Sequence, residues 1–94
     1  MKQFVKINEK DNVAVALKDL EIGERLAAGN GTVTLCDTIA RGHKFALADI
    51  KKGEAAMKYG FPIGYAKVRI NAGAHVHVHN LKTGLGDDLN YEYH

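Results

Sequence analysis

The sequence predicts a small, mostly β domain with short strands, one or two short helices and a polar C-terminal tail. Three observations indicate this class: a glycine-containing phrase recurs, segments of strand length separate its copies, and residues 84–94 lose the apolar alternation. A chain of 94 residues is long enough for one domain with one modest core.

The recurring phrase is a branched apolar residue, two mostly polar or small residues and a glycine. Glycine adopts positive φ without a steric penalty, so each phrase predicts a turn whose Leu or Ile enters the core before the next strand. The uneven spacing of the copies argues against a solenoid, which repeats at one fixed period. The phrase occupies residues 20–23, 39–42, 50–53 and 70–73.

Segments of strand length lie between these turns, and several of them alternate apolar with polar residues. Glycines on both sides of Pro62 predict a hairpin in residues 58–65. The main helical candidate is residues 11–20, in which Asp11 would be the N-cap. The predicted strands are residues 4–7, 32–35, 44–47, 56–59, 65–68 and 74–79.

The composition divides the chain into a domain over residues 1–83 and a segment over residues 84–94. The second segment is polar and punctuated by glycine, which is typical of a linker or a partner-docking tail. Tyr91 and Tyr93 favour docking, because tyrosine rings bury area on a partner.

The segment with the most potentially functional side chains is residues 75–79, in which His75, His77 and His79 alternate with Val76 and Val78. In a strand this pattern would point the valines into the core and the imidazoles to the other face. Imidazole nitrogen binds iron or zinc, and it also transfers protons near neutral pH. His75 and His77 are therefore predicted as metal ligands or as catalytic acid–base groups, and both roles stay open.

Other polar residues are candidates for binding a substrate. His43 and Lys44 follow a turn, and Lys58 precedes the predicted hairpin. A lysine beside a histidine site could bind a substrate carboxylate or assist proton abstraction, although most surface lysines are only solvated. The predicted substrate-binding residues are His43, Lys44, Lys58, His79 and Asn80.

Charge and cysteine content exclude several classes of function. A net charge of +2 without clustered basic residues argues against nucleic-acid binding. No apolar stretch approaches the length of a membrane span, and the N-terminus lacks a signal peptide's apolar core. Cys36 is the only cysteine, so we expect a reducing cytoplasm and a buried, unreactive thiol.

Several separated phrases resemble, in order, the N-terminal domain of altronate/galactarate dehydratases, a SAF domain of β-clip type. The resemblance runs from about Asn8 to Tyr93. It implies a hydro-lyase that removes water from a hexonic or hexaric acid, with Fe(II) or another divalent metal. The phrases are residues 11–17, 42–47, 58–64 and 75–83, with 89–93 resembling the segment that leads into the large domain of that family.

The resemblance also implies a large catalytic subunit or C-terminal domain, without which this chain would be inactive. The substrate would be a small anionic sugar acid. The resemblance carries the site over to the three alternating histidines with Lys44 or Lys58, and which of them serves metal ligation, proton transfer or carboxylate binding stays open. Two alternatives remain: the small subunit of a (R)-sulfolactate sulfo-lyase, and a non-catalytic ligand-binding or assembly module. The chain itself would be a natural small subunit or a piece of a longer protein.

Overall fold

We describe the fold from a computed structural model, which covers residues 2–29 and 31–82. These residues form short antiparallel strands and contain no helix. The strands are β1 Phe4–Val5, β2 Val13–Ala16, β3 Arg25–Ala28, β4 Gly31–Thr34, β5 Lys44–Ala46, β6 Ala55–Lys58, β7 Phe61–Ala66, β8 His75–Val76 and β9 Leu81–Lys82.

A central sheet in the order β1-β2-β5-β8 lies between the β3-β4 hairpin and a three-stranded sheet, β6-β7-β9. The central sheet therefore has a core on each face. The first core contains Ala14, Ala16, Leu20, Leu26, Leu35, Ile39 and Phe45. The second core contains Val13, Ala46, Ile50, Ala56, Ala66, Ile70 and Val76.

The four predicted glycine turns are confirmed. Their glycines have φ between 85° and 90°, and their branched residues are at most 1% exposed. Leu20 forms an antiparallel bridge with Ile39, and Ile50 forms an equivalent bridge with Ile70. Burial of each such side chain stabilises the fold by roughly 1.5–3 kcal/mol. The phrases thus pair two by two, one pair in each core.

The helix predicted for residues 11–20 is wrong, because this segment contains β2. Its alternation is hidden, since a central strand between two cores is apolar on both sides. Val13 packs into the second core, whereas Ala14 and Ala16 pack into the first. β-Branched valines also suit a strand better than a helix.

The predicted hairpin is confirmed as β6 and β7, but its turn is Tyr59-Gly60 and Pro62 lies inside β7. Tyr59 has φ of 59°, an uncommon value for a residue with a side chain. Asp11 holds this turn, because its carboxylate accepts the backbone N–H groups of Tyr59 and Gly60 at 2.9 and 2.8 Å. Asp11 is therefore a turn anchor, not a helix cap.

The predicted boundary after residue 83 and the tail at residues 84–94 lie outside the described residues. Within the part of the chain that is described, no helix is long and apolar enough to cross a membrane.

Candidate functional site

Four imidazole rings converge where β5 and β8 pair at the edge of the central sheet. Because Phe45 pairs with His75, and His43 lies two residues before Phe45, the side chains of His43 and His75 share one face. Their ring centroids are 5.2 Å apart. His77 stacks 5.6 Å from His75 and 6.1 Å from His43, and His79 lies 5.6 Å from His75. We call these four residues the histidine cluster.

A hydrogen bond joins two rings of the cluster, with Nδ1 of His43 and Nε2 of His75 3.1 Å apart. One of these nitrogens must donate while the other accepts, so at least one ring has a defined tautomer. Burial lowers the pKa of His75, and electrostatic repulsion by the neighbouring imidazoles of His43, His79 and His77 lowers it further, while the carboxylate of Asp37 raises it. His75 is thus kept neutral, the form that accepts a proton or binds a metal.

The segment at residues 74–79 was predicted as one strand, but only His75–Val76 is strand. Val76 faces the second core as expected, whereas the expectation for Val78 is wrong, since it is 67% exposed. The chain turns after Val76, so the histidines meet through a turn and not through strand alternation.

Asn80 forms that turn. Its side chain is 7% exposed, its Oδ1 accepts the His77 backbone N–H at 3.0 Å, and its Nδ2 donates to the His75 carbonyl at 2.8 Å. The backbone N–H groups of Asn80 and Leu81 both donate to the His77 carbonyl. The amide of Asn80 therefore positions two members of the histidine cluster.

Asp37 is a site residue that the sequence did not reveal. Its Oδ2 accepts the backbone N–H of His75 at 2.9 Å, across 38 residues of chain. No motif surrounds Asp37, and only the fold brings it to β8. Asp37 binds the backbone N–H of His75 and Asn80 binds its carbonyl, so the two side chains together fix the backbone of His75.

The sequence of residues 2–84 matches a model of the altronate/galactarate dehydratase SAF domain. The chain belongs to this family. It is 56% identical over 91 residues to altronate dehydratase from Escherichia coli strain K12, covering 97% of the chain and 18% of that protein. It is 50% identical over 93 residues to altronate dehydratase from Bacillus subtilis strain 168, covering 99% and 19%.

A third relative is the (2R)-sulfolactate sulfo-lyase subunit alpha of Chromohalobacter salexigens, 47% identical over 47 residues, which is 50% of each chain. This SAF domain thus spans less than a fifth of the length of the two altronate dehydratases. The rest of each enzyme corresponds to nothing in this chain.

The two predicted lysines of the SAF domain are not brought to the histidine cluster. Lys44 shares the sheet face of Ala46, which packs into the second core, and this face is opposite to that of His43. Lys58 lies near the amino end of β2, where its ammonium lies 4.6 Å from the centroid of the Tyr59 ring. His43 contacts the carboxyl end of β2 at Ala16, three residues further along the strand and about 10 Å away at roughly 3.3 Å per residue.

The cluster can supply only part of a metal site. No set of three or more His, Cys, Asp or Glu side chains within residues 2–29 and 31–82 is arranged to hold a metal ion. The paired nitrogens of His43 and His75 are the most closely placed donors, and imidazole suits iron and zinc. Any further ligands would have to come from outside these described residues.

Cys36 is exposed, so the expectation of a buried thiol is wrong. Its Sγ lies 3.3 Å from the carbonyl oxygen of Ala72.

Proposed function

We propose that this domain, of β-clip type, forms one wall of the substrate site of a cytoplasmic sugar-acid hydro-lyase. The remainder of the site would come from a large catalytic subunit or a C-terminal domain. The observation that carries the proposal is the convergence of four imidazoles on one edge of the fold. The names of the altronate dehydratases that this chain resembles support an altronate substrate, and the description of the family supports altronate or galactarate.

The cluster suits the elimination of water from a hydroxy acid. A base removes the proton on the carbon next to the carboxylate, and an acid protonates the departing β-hydroxyl group. His75 is the candidate base, because its surroundings keep it neutral. His77 is the candidate acid, because its exposed ring stacks beside His75. His43 and His79 would bind the substrate from the two sides of His75.

A divalent metal such as Fe(II) is compatible with this arrangement as a shared site. His75 would hold it with His43 or His77, and the catalytic region would supply the remaining ligands. When bound, the metal would polarise the leaving hydroxyl group and stabilise the enolate.

The test is a lyase assay of the domain together with its catalytic region on altronate, galactarate and sulfolactate. His75→Ala and His77→Ala should each lower the rate by about 10²- to 10⁴-fold, the usual contribution of an acid–base group. Lys51→Ala, an exposed turn residue, is the control and should leave the rate unchanged. Full activity of both histidine variants would refute the site.

The second candidate is a sulfo-lyase subunit, which would eliminate sulfite in place of water. The match to a sulfolactate sulfo-lyase subunit alpha favours it, because that protein is itself a separate chain. Turnover of sulfolactate but of neither sugar acid would select this alternative. A third, non-catalytic binding role predicts that the histidine variants raise KM and leave kcat intact.

A further inference from the structure

Residues 77–80 form the histidine turn, and the first three of them have little burial to hold them in place. His77, Val78 and His79 are all exposed, and Val78 is 67% exposed. A segment with few buried contacts opens locally at a low cost in free energy. The His79 ring nevertheless lies 5.6 Å from the His75 ring, so hydrogen bonds must supply the order that burial does not.

The amide side chain of Asn80 and the carbonyl of His77 hold the two ends of this turn. The Asn80 side chain binds the His77 N–H and the His75 carbonyl. The His77 carbonyl accepts the Asn80 N–H at 3.0 Å. None of these bonds reaches the Val78 carbonyl, which belongs to the peptide group that precedes His79. A partner outside the turn must therefore hold that peptide group.

Lys67 is this partner, and it binds the turn at two points. Its backbone N–H donates to the Asn80 carbonyl at 2.9 Å, and its ammonium donates to the Val78 carbonyl at 2.9 Å. The pairing of β7 with β9 explains the first bond, because Ala66 pairs with Leu81 and this places Lys67 opposite Asn80. The side chain then has to reach a carbonyl only two residues away along the turn.

Both peptide groups that adjoin His79 are held as a result. A peptide group is planar, so the bond from Lys67 to the Val78 carbonyl also fixes the plane that carries the His79 N–H. The Asn80 N–H, bonded to the His77 carbonyl, fixes the plane that follows His79. The two planes set φ and ψ of His79 and the direction in which its imidazole leaves the backbone. We propose that Lys67 is a positioning residue for the His79 imidazole.

The two bonds of Lys67 support each other. The backbone bond fixes the start of the side chain, so only side-chain torsions have to be ordered for the ammonium to reach the Val78 carbonyl. A charged donor forms a stronger hydrogen bond than a neutral one, although the exposure of Lys67 to solvent reduces its contribution. Loss of the ammonium should therefore loosen one peptide group and leave the strands intact.

This role deepens the proposed function and rests on it only for the effect on the reaction. His79 would bind the substrate beside His75, and a loosely held imidazole binds more weakly because binding must then also order it. The order of the turn itself can be measured without substrate.

Backbone ¹⁵N relaxation of the 94-residue chain measures that order. Lys67→Met keeps the unbranched stem but removes the ammonium, and the order parameter of the His79 N–H should fall from about 0.85 to below about 0.6. Lys67→Arg keeps a charged donor and should restore the wild-type value. The matched control is Lys52→Met, because Lys52 is an exposed lysine that lines the same groove as Lys67.

The KM of the complete enzyme is the second measurement. Lys67→Met should raise KM by about 3- to 10-fold, which corresponds to the loss of one ordinary hydrogen bond. The kcat should stay within about twofold, and Lys67→Arg should restore KM. A merely structural role would lower the amount of folded enzyme, which reduces the apparent kcat and leaves KM unchanged.

Three outcomes would overturn the position assigned to Lys67: an unchanged order parameter of His79 in Lys67→Met, an equal loss in Lys52→Met, or no rescue by Lys67→Arg. Failure of the proposed function gives a different result. In that case the order of His79 would still fall in Lys67→Met, but KM would stay at its wild-type value.

Discussion

Replacement of Asn80 by alanine tests how the histidine turn is built. The variant removes two hydrogen bonds, one to the His77 N–H and one to the His75 carbonyl, in a position only 7% exposed. Each bond stabilises by about 1 kcal/mol, and a buried polar group left without a partner costs about 1–3 kcal/mol. We therefore expect Asn80→Ala to lower the free energy of unfolding by about 2–4 kcal/mol.

Denaturant unfolding of the chain measures this loss, with Asn71→Ala as the matched control. Asn71 is exposed and accepts one side-chain hydrogen bond from Arg69, so its loss should cost less than about 0.5 kcal/mol. The imidazole NMR signals of His75 and His77 should shift in Asn80→Ala only. Equal stability of the two variants would refute the role assigned to Asn80.

Three further predictions concern the rest of the fold. Gly73→Ala should cost more than about 3 kcal/mol, because its Cβ would collide with the Thr34 carbonyl. Gly53→Ala is the control, since Gly53 has a similar positive φ but open space around it, and it should cost about 1–2 kcal/mol. Equal losses of Tm in the two variants would contradict this. The free energy of unfolding should fall below pH about 6.5, because His75 binds a proton more readily in the unfolded chain than in the folded one. In His75→Gln the free energy of unfolding, measured against pH, should fall less steeply. Burial raises the pKa of Asp11, but four backbone N–H donors outweigh burial and hold this pKa below its usual value. The stabilisation by Asp11 should therefore persist above pH about 3.9 and decline below it. Asp11→Asn should lower the free energy of unfolding by about 2–3 kcal/mol at pH 7 and by less in acid, and a loss that does not change with pH would contradict this.

The turns were predictable because the phrase of a branched residue and a glycine encodes both a backbone conformation and a buried side chain. The strand β2 was not predictable, because Val13 and Ala14 face different cores and the segment therefore shows no alternation of apolar with polar residues. β3 and β9 had no counterpart among the predicted strands. β3 carries the exposed Arg25 and Ala27 around a single buried Leu26, and β9 is only two residues long.

The site was predictable only in part. His75, His77 and His79 were found by their spacing, although a turn and not a strand gathers them. The contact of His43 with His75 depends on the pairing of β5 with β8, across 32 residues that carry no pairing signal. The contact of Asp37 with His75 could not be predicted for the same reason, since only the fold brings the two residues together.

The most direct test of the central claim is the kcat of the complete enzyme carrying His75→Gln, on whichever acid the wild type turns over best. Glutamine keeps polarity but cannot exchange a proton near neutral pH. We predict that kcat falls by about 10²- to 10⁴-fold while KM changes little. An unchanged kcat would show that the histidine cluster takes no part in the chemistry.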